Sequence, residues 1–506
     1  MKTRVFVRPT LIAALLFAPL IGHPTPAQAD GNLGNVNHII IMMQENRSFD
    51  NYFGILPFVP GTPYHNAKGA GKARACKADD HSCVDGLTCK TVKGALVCKN
   101  VNPGNAGSTV RAFHDPRYCT GPDLDHSWIG SHLEGNYLQP GNMLKSSRNR
   151  GFVRVNAVSD APEQAVLHDT MGYYDDVDLP FYYGLAENFA ISDRYFAAVI
   201  GQTFPNRSYL IAGTSFGHLT TSEILTGGGY KPITGTLYDR LDAAGVTWTD
   251  YYSDLPYSAI FATSPGHAKS VSTFAADAAA GMLPQVSFID PSAFVDQNIG
   301  GHNFQTDEHP PNDIRAGQYF VASVINALRS SPSWNDSLLI LTYDEHGGFY
   351  DHVAPPAANQ GGASTPDGIP PGQCADLSNP PTSEIPGNGA TCNVSRTQEA
   401  PGICPGFTPT GPYPANCATF NQLGFRLPFI AVSPFAKPKY VSHTVGSHTS
   451  LMALIEKRFS LAPLAARDAN ASTLEDMFDF DNSPSLNTPV GTAPLPVEPG
   501  DPGCPF

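Results

Sequence analysis

Two acid-bearing pairs, Glu45-Asn46 and Asp344-Glu345, each stand at the end of a short apolar run. Carboxylate and carboxamide oxygens are hard donors and suit a divalent cation. A lone acid after such a run also serves as a helix N-cap or turn residue. Recurrence of the pattern far along the chain is what favours the ion. Between the pairs lies Gly201-Gln202-Thr203-Phe204-Pro205-Asn206-Arg207. Pro205 prefers the first turn of a helix, which puts Thr203 at or just before its N-terminus. A hydroxyl there meets unpaired backbone N–H groups and the positive end of the helix dipole, which stabilise an alkoxide and a phosphoryl oxygen. A neighbouring cation would lower the hydroxyl pKa further, making Thr203 a candidate nucleophile as well as a fifth ligand. The plainer alternative is that Thr203 only caps the helix.

Histidines beside acids supply candidate proton donors or phosphoryl-oxygen ligands: His126 after Asp125, His309 after Asp307-Glu308, and His352 after Asp351. Each could equally be a hydrogen-bonded structural residue. His309 is the best placed, because Pro310-Pro311 break the chain after it and its acidic neighbours can tune it. His443 and His448 are weaker candidates. A competing signal is Gly213-Thr214-Ser215-Phe216-Gly217, which matches the G-x-S-x-G elbow of acyl esterases, with residues 209–212 as the strand before it. Asp344 and a late histidine would follow in esterase order. The segment after Gly217 is a poor helix, which counts against Ser215 as a nucleophile.

These residues need a scaffold that brings strand ends together. Strand-like runs fall at 38–43, 189–193, 246–251, 285–289, 338–343 and 427–432, with helical patterns at 238–244, 274–280, 314–329 and 450–458. Such alternation predicts an α/β domain with a largely parallel sheet covered on both faces. Open sheets of this kind place ligands at the carboxyl ends of their strands. Residues 60–112 and 354–425, rich in Gly, Pro, Asn and Cys, read as loop insertions in a domain spanning 30–483. Residues 484–506 read as a loosely held Pro/Gly-rich tail.

The first 29 residues have the basic start, apolar middle and Ala27-Gln28-Ala29 end of a cleaved export signal. No later run reaches membrane-span length, so a secreted or periplasmic mature chain is expected. Ten cysteines without a Cys-x-x-Cys pair point to disulfides rather than zinc. A formal charge of −14 argues against nucleic acid and against electrostatic docking on anionic lipid.

The blocks HIIIMMQENRSFDNYFG, GQTFPNRSYLIAGT, DEHPP, TYDEHGGFYDHV and RLPFIAVSPF thread nearly the whole chain. Together they resemble the secreted bacterial phosphoesterase family that contains phosphatidylcholine-type phospholipases C and a broad acid phosphatase. The resemblance implies an alkaline-phosphatase-like three-layer α/β/α sandwich with one divalent metal ion. It implies Glu45, Asn46, Asp344 and Glu345 as metal ligands with Thr203, and Thr203 as nucleophile through a phospho-enzyme. His126, His309 and His352 would bind phosphate or donate a proton. The substrate would be a phosphoester, such as a phospholipid headgroup; a phosphomonoesterase is the alternative. All-oxygen ligation favours Ca²⁺, Mg²⁺ or Mn²⁺, with zinc or iron admitted by the histidines. Gln202 stands where the phospholipases commonly have Pro, and their extra C-terminal modules do not follow residue 506.

Overall fold

The computed structural model describes residues 31–67, 76–121, 123–136, 149–156, 166–222, 231–232, 235–261, 266–299, 301–358, 366–374, 382–383 and 392–496. The export signal, Cys504 and the last residues of the tail lie outside these. Its main sheet has eight strands: β1 (His38–Gln44), β2 (Ala190–Ser192), β3 (Trp248–Tyr252), β4 (Ala268–Ser270), β5 (Val286–Asp290), β6 (Ser337–Tyr343), β7 (Phe429–Val432) and β8 (Tyr440–Ser442). Their order is β4-β3-β5-β1-β6-β7-β2-β8. All neighbours run parallel except β7, which is antiparallel to β6 and to β2. The six strand-like runs of the sequence all enter this sheet; β4 and β8, of three residues each, are too short to read.

The central strands explain the arrangement. β1 and β6 are apolar through their middles, residues 39–43 and 338–341, and β6 is buried at every position. A strand buried on both faces needs a layer on each side. Helices supply it in two packed groups. α1 (Thr203–Ala212) packs against α2 (Leu237–Ala244) and α4 (His448–Phe459), while α3 (Ile314–Arg329) packs against a short helix at Phe274–Ala279. Local sequence sets their ends. Thr236 and Asp239 form a capping box at the start of α2, and Asp313 caps α3.

The two irregular stretches carry disulfides beside only short two-stranded ladders and helical turns. Cys76–Cys83 and Cys89–Cys98 lie in the first, and Cys374–Cys392 and Cys404–Cys417 in the second. The tail differs from its expectation as far as Thr488. Ser485 Oγ donates to the Ala436 carbonyl at 2.8 Å, and Trp334 Nε1 donates to the Leu486 carbonyl at 3.0 Å. The Arg329 guanidinium donates to the Thr488 carbonyl. The aromatic and cationic side chains that fasten it come from elsewhere in the chain, so Pro/Gly content alone misjudged it. Among the described residues no helix is long and apolar enough to cross a membrane.

Candidate active site

Strand register builds the site. β1 and β6 pair in parallel from His38 opposite Ser337 to Gln44 opposite Tyr343. The next residues, Glu45-Asn46 and Asp344-Glu345, therefore leave the sheet side by side at its carboxyl edge. Each is pinned by its backbone. The Glu45 N–H donates to the Asp307 carbonyl (2.7 Å), and the Asp344 N–H donates to the Gln44 carbonyl (3.1 Å). His448 Nε2 donates to the Asp344 carbonyl at 2.6 Å. Asn46 is fully buried in the left-handed region, φ 65°. Gly347, φ 62°, packs so close to it that a Cβ would sit 2.5 Å from the Asn46 carbonyl oxygen. Glu345 is aimed through one oxygen: Oε2 accepts from the Gly347 N–H (2.8 Å) and lies 3.3 Å from His346 Nδ1.

Three other oxygens of this edge are left without a hydrogen bond. Asn46 Oδ1, Asp344 Oδ2 and Glu345 Oε1 are buried with no hydrogen-bond partner. Buried polar atoms are normally paired, because desolvation without compensation costs several kcal/mol. Hard oxygens left bare together at one strand edge fit a divalent cation. Burial and the adjacent Glu45 push the Asp344 carboxyl up to about 8. Burial acts the same way on Glu345, but His126 and His346 hold its carboxyl below the usual value.

Thr203 is the first residue of α1, preceded by the cap position Gln202, so it is not itself the cap. The Phe204 N–H is taken by Thr221 Oγ1 at 3.1 Å, and Pro205 has none. That leaves the Thr203 N–H, beside its own hydroxyl, without a partner among the described residues. One turn on, Arg207 reaches both acid pairs. Its Nη2 lies 3.0 Å from Glu45 Oε1 and its Nε 3.5 Å from Asp344 Oδ2. The guanidinium stacks 3.8 Å over the Tyr257 ring, and Tyr257 OH donates to Glu45 Oε1 at 2.5 Å.

A cavity of about 370 Å³ brings Glu45, His126, Thr203, Tyr257, Asp307 and His309 to one space. Both histidines are fixed in tautomer. His126 Nδ1 bonds the Leu124 carbonyl (2.8 Å) and His309 Nδ1 the Pro310 carbonyl (2.6 Å), which leaves each Nε2 for other work. His126 Nε2 lies 3.8 Å from Glu345 Oε1. Burial would lower the His126 pKa, but Glu345 and Asp123 raise it to about 9.

The remaining candidates lie elsewhere. His352 is bound on both ring nitrogens, to Asp50 Oδ2 (2.7 Å) and Asp85 Oδ1 (3.3 Å), and does not line the cavity. His443 bonds Asp193 (2.7 Å) and the Asp80 carbonyl (3.1 Å). His448 is a buttress behind Asp344. Ser215 is fully buried, and residues 209–212 end a helix where the esterase elbow requires a strand. The acyl-esterase reading fails on that context.

Residues 36–462 match the phosphoesterase family. The chain belongs to that family. Its phosphoesterase membership makes it a phosphoric ester hydrolase. It is 29% identical to phospholipase C B of Mycobacterium tuberculosis, over 91% of this chain and 80% of that one. It is 28% identical to non-specific phospholipase C4 of Arabidopsis thaliana, over 90% and 74%. Among solved structures, human ectonucleotide pyrophosphatase/phosphodiesterase 5 aligns over 60% of this chain and 94% of its own, at 12% identity and a TM-score of 0.33.

Within this phosphoesterase the sequence reading gave no role to Arg207 or Tyr257. Arg207 carried a signal: residues four apart on a helix share a face, so a candidate nucleophile at 203 implies a neighbour at 207. Tyr257 carried none, because only the fold brings its short 3₁₀ segment over Glu45.

Proposed function

We propose that this protein is an exported, metal-dependent phospholipase C-like hydrolase that works through Thr203. One observation carries the reading: Thr203, at a helix N-terminus, lines the same cavity as Glu45, which belongs to an edge where Asn46 Oδ1, Asp344 Oδ2 and Glu345 Oε1 are buried without a hydrogen-bond partner. The relatives' names supply the substrate class. Glu45, Asn46, Asp344 and Glu345, with the Thr203 hydroxyl, would hold one divalent cation. That ion would neutralise charge on a phosphoryl oxygen and lower the Thr203 pKa.

The chain's own groups do the rest. The Thr203 hydroxyl gives its proton to solvent, and its oxygen attacks phosphorus opposite the departing alcohol. The new O–P bond forms as the P–O bond to that alcohol breaks. The Thr203 N–H donates to a phosphoryl oxygen, at the positive end of α1. His126 or His309 gives a proton from Nε2 to the leaving oxygen. Water then cleaves the phosphothreonine and restores the hydroxyl. Arg207 bridges Glu45 and Asp344 and screens their mutual repulsion while this happens.

Acid-quenching the enzyme during turnover and mapping the phosphorylated peptide tests this. Phosphate on Thr203, and a loss of about a thousandfold or more in Thr203→Ala, are expected. A Thr203→Ala protein with near-full turnover overturns the mechanism. Comparing p-nitrophenyl phosphorylcholine with p-nitrophenyl phosphate settles the ester class. Turnover confined to the monoester would make the protein an acid phosphatase.

A further inference from the structure

The cavity that holds Thr203 is edged by a loop whose outermost side chains are apolar. Phe294 and Val295 are 59% and 58% exposed, and Phe294 also lines the cavity. Scattered exposed apolar residues need no explanation. These two stand together on the rim of a reaction site. The loop that carries them is also built to leave water. Asp254 Oδ2 accepts the N–H groups of Ala293 (2.8 Å), Phe294 (2.6 Å) and Val295 (2.9 Å). The base is fixed by Ser292 and Thr306, which exchange backbone and hydroxyl hydrogen bonds at 3.0–3.1 Å. A segment whose backbone donors are satisfied internally can enter a low-dielectric layer without stranding them.

Charge selects the layer. The chain carries −14 overall, and the acids at this rim include exposed Asp296 and half-exposed Asp123. An anionic surface would repel it. A zwitterionic phospholipid surface presents its ammonium groups outermost, which suits an acidic rim around an apolar tip. We propose that residues 293–295 form an interfacial anchor that seats the cavity on a zwitterionic phospholipid surface. The proposal rests on the phospholipase C-like reading above and adds the contact through which lipid would be reached.

The test uses the full exported chain, sucrose-loaded phosphatidylcholine vesicles, and soluble p-nitrophenyl phosphorylcholine. Burying one such side chain is worth about tenfold or more in partition. Val295→Asp is therefore expected to lower vesicle co-sedimentation and vesicle turnover about tenfold or more, with soluble turnover unchanged and Val295→Leu close to wild type. Phe294→Ser, read by co-sedimentation alone, is expected to weaken binding likewise. Equal sedimentation of Val295→Asp and wild type overturns the anchor. So does soluble turnover that falls in step with vesicle turnover, or wild-type binding to phosphatidylglycerol vesicles only. A change in self-association by sedimentation velocity, with vesicle binding intact, would make the patch a contact between two copies instead. Wild type that sediments with vesicles yet cleaves no choline phosphodiester leaves the anchor standing and overturns the phospholipase reading.

Discussion

Arg207 Nη2 lies 3.0 Å from Glu45 Oε1, deep in the site, and joins the two acid pairs through one guanidinium. It occupies the charge gap between strands β1 and β6, where two buried carboxylates would otherwise face each other. Its role is electrostatic as well as positional.

Arg207→Ala is expected to destabilise the cation-free protein by about 3–5 kcal/mol, the usual cost of removing one partner of a buried ion pair. The acids left behind attract a cation more strongly. The rise in melting temperature on adding Ca²⁺ or Mn²⁺ should therefore exceed that of wild type. Calorimetry with and without the ion checks both. A variant as stable as wild type without metal, or one with no larger gain, would sink this role.

Much of this was legible because β1 and β6 stop abruptly. A short, mostly apolar run that gives way to acids within two residues is a local pattern, and it pointed to Glu45, Asn46, Asp344 and Glu345 at one edge. Helix-forming chemistry around Pro205 likewise located Thr203. The histidines show where local pattern ends. His126 and His352 each follow an aspartate and look alike in sequence. His126 faces Glu345 across the cavity, while His352 is captured by Asp50, Asp85 and the buried Arg426 network. Those partners come from segments that meet only after folding, so no spacing rule separates the two.

Gly347 gives a second test, of how the cation edge is shaped. A Cβ at this position would lie 2.5 Å from the Asn46 carbonyl oxygen and 2.7 Å from its Cβ, and φ is 62°. Gly347→Ala must shift Asn46 or the Glu345 turn. Misplacing a site residue by about 1 Å costs on the order of a hundredfold in rate. Turnover and cation affinity should fall together, as measured by kinetics and equilibrium dialysis. Wild-type values for both would show that Asn46 is not held in place by this contact.

Gln202 gives a third. Its Oε1 accepts from the Thr221 N–H at 2.9 Å, which fixes the amide so that Nε2 is its remaining donor on the cavity wall beside Thr203. An N–H there can bind a substrate oxygen. Gln202→Glu replaces that donor with an acceptor and a charge, so an anionic phosphoester should bind worse. KM is expected to rise about tenfold or more, the worth of one hydrogen bond to a charged group. An unchanged KM, with kcat alone reduced, would assign Gln202 to helix capping instead.

His352 provides the pH test, on stability rather than on turnover. Burial alone would lower its pKa, but the Asp50 charge and the hydrogen bonds its ring donates to Asp50 and Asp85 raise it from 6.5 to about 10. A folded pKa above the unfolded one means that the native state binds the extra proton. The resulting stabilisation is complete below about pH 6.5 and is lost as pH rises through about 10. His352→Gln removes that proton-binding site. It should cost on the order of a few kcal/mol at pH 6 and progressively less towards pH 10, flattening the alkaline decline of wild type. Because the residue does not line the cavity, soluble-substrate turnover at pH 7 should remain within about twofold, a margin small against one lost hydrogen bond to a charged group. Urea unfolding at a series of pH values reads the slope directly. A variant whose stability declines between pH 6.5 and 10 as steeply as wild type would show that His352 is neutral in the folded protein, and the Asp50 and Asp85 carboxylates would then need another partner.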